Sequence, residues 1–144
     1  MKKDALENYL FLKMEVENQL ERIARAKNNT LIPALKESDG SQHFSDGVDR
    51  LGNTVVKWLE LEDRLMPSIM EKIAEMQQIE CAIESLKNPL EREVLRLRYL
   101  DGTGCRHMGW KDVAVNLYGD NDEAQLQAVF RLHRKAIHNF ENSL

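Results

Sequence analysis

The sequence predicts an all-α fold, and three observations carry that prediction. Only 7 Gly and 3 Pro occur in 144 residues, so helix breakers are scarce. Apolar residues return at three- and four-residue spacing over long stretches instead of alternating, which is the helical and not the strand period. A hydrophobic content of 42% is interleaved with 31% charged residues, the balance of helices that bury one face and wet the other. The expected architecture is a long coiled-coil-like helical hairpin followed by a three-helix module.

Residues 1 to 27 form an N-terminal helical segment, with the pattern itself over 4 to 27. Leu6, Tyr9, Val16, Leu20 and Ile23 follow a three-four spacing in which Lys13 takes one seam position, while Leu10, Phe11, Leu12 and Met14 add apolar surface outside the seam. Residues 28 to 53 are dense in turn-forming types, from Asn28-Asn29-Thr30 and Pro33 to Ser38-Asp39-Gly40-Ser41, Ser45-Asp46-Gly47 and Gly52-Asn53. That composition predicts a flexible linker with at most a short helical piece near Ile32 to Lys36.

Residues 54 to 86 are expected to form one long helix. Val55, Trp58, Leu65, Ile69, Met76, Ile79, Ile83 and Leu86 keep heptad spacing, with Glu62 and Lys72 as polar interruptions. Pro67 removes a backbone donor inside it, so a kink or short break is expected near Arg64 to Met66. The seam fits either residues 4 to 27 of the same chain or the same helix of a second protomer, so a homodimer through the long helix is among the expected partners.

Residues 87 to 144 are expected to form the three-helix module. Asn88-Pro89-Leu90-Glu91 is a helix start, with Asn88 as cap, Pro89 in the first turn and Glu91 able to answer in a capping box. Leu90, Val94 and Leu97 mark one face of this helix and Leu95 with Tyr99 another, until Asp101-Gly102 ends it. Trp110, Val113, Ala114 and Leu117 give the next, short helix a single buried stripe, and Gly119 suits its C-terminal cap. The last helix is capped by Asp120 with Glu123 or by Asp122 with Gln125. Its Leu126, Val129, Phe130, His133, Ala136, Ile137 and Phe140 fall within an arc of roughly 120°. Gln127, Arg131, Arg134, Lys135 and His138 lie almost opposite.

Charge divides the chain. Residues 1 to 85 hold 11 Lys and Arg against 16 Asp and Glu, whereas residues 86 to 144 hold 9 against 8. No apolar run reaches the roughly 20 residues of a membrane helix, and Met1-Lys2-Lys3-Asp4 leads into an acid-bearing amphipathic stretch, not a signal sequence. No membrane partner is expected, and the expected location is the cytoplasm. Two cysteines, Cys81 and Cys105, suit a reducing compartment. Cys105 and His107 lack a second pair at zinc-site spacing, so no metal is expected. Neither a nucleophile with its base nor a phosphate-cradling glycine loop can be found, so no enzyme and no cofactor is expected.

Residues 88 to 100 (Asn-Pro-Leu-Glu-Arg-Glu-Val-Leu-Arg-Leu-Arg-Tyr-Leu), then Trp110-Lys111-Asp112-Val113-Ala114, then Val129 through Phe140, together resemble region four of bacterial RNA polymerase sigma factors. More narrowly, the chain is similar to the sigma-region-four-like regulators of phages and prophages of Gram-positive bacteria, in which a coiled-coil-prone helical part precedes the same module. The resemblance spans roughly residues 50 to 141. It implies a helix-turn-helix domain, double-stranded DNA and RNA polymerase as partners, and a role in transcription regulation. This chain departs from the family by inserting residues between Gly102 and Trp110 and by lengthening the Gly119 to Glu123 turn with acids.

In a helix-turn-helix the second helix enters the major groove and its early exposed residues meet base edges. Gln127 and Arg131 are then the base-reading candidates, since Gln pairs with adenine and Arg with guanine, and Ala128 can touch a thymine methyl. Arg106, Lys111, Arg134 and Lys135 are the phosphate-contact candidates. The acids ahead of the last helix face approaching phosphates, so a lone module is expected to bind weakly and with strong salt dependence. The alternative function is a helical oligomeric assembly protein, such as a phage DNA-packaging recognition subunit. A third is a protein-interaction module.

Overall fold

In the computed structural model, which describes residues 2–37 and 44–143, five helices follow one another: α1 (Lys3–Glu37), α2 (Phe44–Glu84), α3 (Pro89–Leu95), α4 (Trp110–Tyr118) and α5 (Glu123–Glu141). Beyond α3 the chain continues as a π-helical turn over Arg96–Leu100. No strand occurs among the described residues, only an isolated bridge between Thr103 and Arg106. The chain is therefore all-α. It divides into two compact units, one formed by Met1–Met14 with Ile73–Leu144 and the other by Glu15–Lys72.

The expected linker at 28 to 53 is mostly helix. Residues 28–37 complete α1 and 44–53 begin α2, while 38–43 lie outside the described residues. Asn, Ser, Thr and Asp each cost no more than about 0.7 kcal/mol in a helix relative to Ala and Gly about 1, so that Pro33 alone carries a penalty of about 3, while extension adds one backbone bond per residue. A helix already nucleated therefore runs through composition that reads locally as turn. Of the kink or short break expected near Arg64 to Met66, the break is absent, since α2 is continuous through Pro67. Pro67 and Asp63, whose carbonyl loses its donor, are both exposed, so water can satisfy the freed group.

Within Glu15–Lys72 the helices run antiparallel. Lys72 Nζ meets Glu15 Oε2 at 3.1 Å, and Lys27 Nζ meets Glu62 Oε2 at 3.8 Å and stands 4.8 Å from the Trp58 ring centroid. The two polar interruptions of the α2 seam are thus answered by charges on α1. The α1 seam is set one residue from the expected register: Leu12, Val16 and Ile23 are buried with Gln19 among them, while Leu20 is 44% exposed. Counting a 12-16-19-23 heptad in place of 13-16-20-23 accounts for this, because it makes Gln19 the only polar seam residue and leaves Lys13 at the margin.

In the other unit, Leu6, Tyr9, Leu10 and Leu12 of α1 share a core with Ile79, Ile83, Leu86, Val94, Leu95, Leu97, Tyr99, Val113, Ala114, Val129, Ala136 and Phe140. The Tyr9 hydroxyl donates to the Glu80 carboxylate, and burial with that acid beside it pushes the phenol well above its ordinary 10. Arg92 Nη1 donates to the Leu86 carbonyl at 2.7 Å, tying the end of α2 to the start of α3. Asn88 Oδ1 accepts from the Leu90 N–H at 3.0 Å, as an N-cap does. Glu91 does not complete a capping box. It is buried, and its Oε2 accepts from Asn139 Nδ2 of α5 at 2.9 Å. Leu90, expected on the Val94 and Leu97 face, is exposed in the first turn.

Candidate nucleic-acid interface

α4, the turn after it and α5 are each set by local chemistry. Val113 and Ala114 are fully buried, which fixes the inner face of α4. Gly119 closes the helix at φ +77, a left-handed conformation that disfavours any side chain, and its N–H bonds the Val115 carbonyl at 2.8 Å. Asp120 Oδ1 accepts from the Asn121 N–H at 2.7 Å, and Asp122 Oδ1 accepts from the Gln125 N–H at 2.9 Å. Asp122, not Asp120, is therefore the N-cap of α5.

α5 buries Val129, Ala136 and Phe140 and half-buries Leu126, Phe130, His133 and Ile137. Gln127, Arg131, Arg134, Lys135 and His138 are all exposed, on one side of the helix by its period. Arg134 Nε lies 3.5 Å from the Phe130 carbonyl, at the limit of a hydrogen bond, so its guanidinium remains available to solvent. Ala128 is half-buried and sits at the edge of this face. Arg106 and Lys111 are exposed on other elements, the loop after Gly102 and the first turn of α4.

The residues inserted between Gly102 and Trp110 form a tight turn. The Arg106 N–H bonds the Thr103 carbonyl at 3.0 Å, and Gly104 takes φ +60 with no other positive φ in the turn, the signature of type II′. Cys105 Sγ contacts Met14 Sδ at 2.9 Å. A substituent on Gly102 would overlap the Arg106 carbonyl oxygen and stand 2.7 Å from Leu10 Cδ1, so only glycine lets the chain leave the π-turn here.

A polar-aromatic cluster adds to the apolar contact between α4 and α5. The Trp110 ring meets Phe130 edge-on at 5.3 Å and His133 edge-on at 4.7 Å, and the Arg98 guanidinium lies 4.3 Å from the Trp110 centroid. Arg98 Nη1 donates to the Met108 carbonyl at 2.5 Å, which fixes the residue two before Trp110. Tyr99 stacks on His133 at 5.7 Å and meets His107 edge-on at 5.3 Å. Burial, with Lys3 and Arg98 adding positive charge, lowers His133 from 6.5 to about 4, while burial raises Tyr99 to about 12. Both groups are thus neutral at ordinary pH. The Tyr99 hydroxyl and His133 Nε2 lie 2.7 Å apart, a hydrogen bond between two neutral groups.

Trp110 and His133 behave as the core anchor and structural histidine that their place on the apolar stripe implies. Arg98 is the residue the sequence did not single out. Its only signal was a position next to Tyr99 in an arginine-rich helix end, which reads equally well as a solvated charge. No protein-family model, curated protein or solved structure matches the chain.

Proposed function

We propose that this protein is a DNA-binding transcriptional regulator, sigma-factor-like and of phage or prophage type, that acts with RNA polymerase at promoters. One observation carries the reading: the side of α5 opposite its buried stripe is exposed, and its middle turns present Arg131, Arg134 and Lys135 together, between Glu123 at the start of the helix and Glu141 at its end. Gln127 and Arg131 lie early enough on that side to read base edges, with Ala128 at its margin. Arg134 and Lys135 follow one turn later to hold phosphates, and Arg106 and Lys111 supply further phosphate contacts from neighbouring elements. The turn and cap at Gly119 to Asp122 make α4 and α5 the two helices of a helix-turn-helix in this reading.

Asp120, Asp122 and Glu123 stand exposed at the start of α5. Capping occupies one Asp122 oxygen but leaves its charge in place. A lone module therefore binds weakly, and polymerase or a second copy raises affinity through effective concentration.

The test is duplex binding by the native chain and by Arg131→Ala, at low and moderate salt, using selection from a random duplex pool to find the site. The expected result is a loss of about tenfold or more for the variant at the selected site, with the native affinity falling steeply as salt rises. Absence of duplex binding at low salt, both alone and with polymerase, would falsify the DNA role.

A second reading, a helical assembly protein, is favoured by Val56, Leu59 and Met70 standing exposed on α2, Met70 at 64%, with Met66 half-buried on the same side. Sizing separates the two. A large ring marks assembly, and a monomer or dimer marks regulation.

A further inference from the structure

We propose that the groove between the start of α1 and the end of α2 docks a helix of a partner protein, one that carries an apolar anchor flanked by Lys or Arg. The groove encloses about 640 Å³. Leu12 and Ile79, both buried, form its floor, and Phe11 stands 54% exposed along its wall. A phenylalanine with half its surface in water beside an unfilled apolar groove is a hot-spot geometry waiting for a partner side chain. The natural complement of a furrow between two antiparallel helices is a third helix, which lays its own ridge of side chains into it.

Charge decides which helix. Asp4 and Glu7 of α1 and Glu75 of α2 line the groove, and no Lys or Arg does. Lys3 reaches Glu7 at 3.6 Å, whereas Asp4 and Glu75 have no ion-pair partner among the described residues. An acidic rim repels phosphate, whether of nucleic acid or of an anionic lipid surface, and attracts a cationic flank. A second copy of this chain is disfavoured as occupant. A twofold pairing of the groove with itself would set Asp4, Glu7 and Glu75 against their own kind. The proposal is independent of the DNA reading, because the exposed side of α5 and this groove select opposite charges.

The experiment uses the full chain, isotopically labelled, and two short helical peptides with Leu at i, i+3, i+4 and i+7, one flanked by Lys and the other by Glu. The Lys peptide is expected to move the amide signals of Phe11, Leu12, Gln78 and Ile79 and to bind about tenfold or more tightly than the Glu peptide. Phe11→Ser should weaken that binding by about tenfold or more while leaving the circular dichroism and melting profile intact, since Phe11 is outside the buried core. The double reversal Asp4→Lys with Glu75→Lys should invert the preference, and the control pair Glu17→Lys with Glu21→Lys should not. Equal binding of the two peptides, no binding of either, shifts outside the groove, or an inert Phe11→Ser would each overturn the proposal. So would a concentration-dependent dimer that Phe11→Ser abolishes, since the occupant would then be a second copy.

Discussion

The two units are built from the same pair of long helices and bury them differently. In Met1–Met14 with Ile73–Leu144, α3, α4 and α5 join α1 and α2, and Leu6, Leu10, Ile83, Val94, Leu95, Val113, Val129 and Phe140 are all at or near zero exposure. In Glu15–Lys72, Ile69 is the one described apolar residue that reaches full burial, Val16 and Ile23 keep a little exposure, and the seam holds Gln19 and the charges of Glu62 and Lys72. Two helices can bury only the strip where they touch, whereas five enclose a volume. The first unit is therefore expected to melt as one cooperative body, and the second to open locally at lower free energy.

The largest effect should come from emptying the enclosed core. Phe140→Ala should lower unfolding free energy by about 3 to 5 kcal/mol in denaturant titration. A loss below about 1 kcal/mol would mean that α5 is not part of a cooperative core. Next, Gly102→Ala forces a methyl onto the Arg106 carbonyl and Leu10 and should cost about 1 to 3 kcal/mol. Its amide exchange should rise first in the loop between Gly102 and Trp110.

A pH titration probes the same core. His133 has a folded-state value near 4 against an ordinary 6.5, so the unfolded chain takes up the proton first. The stabilisation is therefore complete above about pH 6.5 and drains as pH falls towards 4. Because the ring is partly exposed, the loss is on the order of 1 to 2 kcal/mol after discounting for solvent screening. His133→Phe should flatten the stability profile across that window while forfeiting the Tyr99 hydrogen bond. A pH slope that survives the substitution would place the titrating group elsewhere.

The smallest expected effect lies in the other unit. Gln19 Oε1 is buried without a partner, and Gln19→Leu should add about 1 kcal/mol by removing it, read as slower amide exchange across Glu15–Lys27. If exchange quickens instead, the glutamine sets the helix register at a cost in stability.

Much of the fold could be read because local chemistry and global packing agree. Asn88, Gly119 and Asp122 are caps by their own side chains or lack of one, and the α5 stripe from Leu126 to Phe140 has the helical period written into it. The missed features depend on partners remote in sequence. Glu91 looked like a capping residue until Asn139, on another helix, offered it a buried hydrogen bond. Leu20 and Lys13 fit a heptad as well as Leu12 and Gln19 do, and only the facing surface of α2 decides between them. Of the candidate interface, Gln127, Arg131, Arg134 and Lys135 were visible as a polar side of a strongly periodic helix. Arg98 was not, because its role rests on the Trp110 ring and the Met108 carbonyl, neither of which its neighbours in sequence announce.

The π-turn over Arg96–Leu100 has a consequence for how the molecule could change. Its Asp101 N–H bonds the Arg96 carbonyl, one residue wider than an α-helical step, so the side chains after Leu95 are rotated out of phase with those before it. It works as a vernier between two scales. Val94 and Leu95 stay aligned to the core while Arg98 and Tyr99 are dialled onto Trp110 and His133. Loss or gain of a single residue in this turn would reset the aromatic cluster, and with it the seating of α4, while leaving the first two turns of α3 untouched.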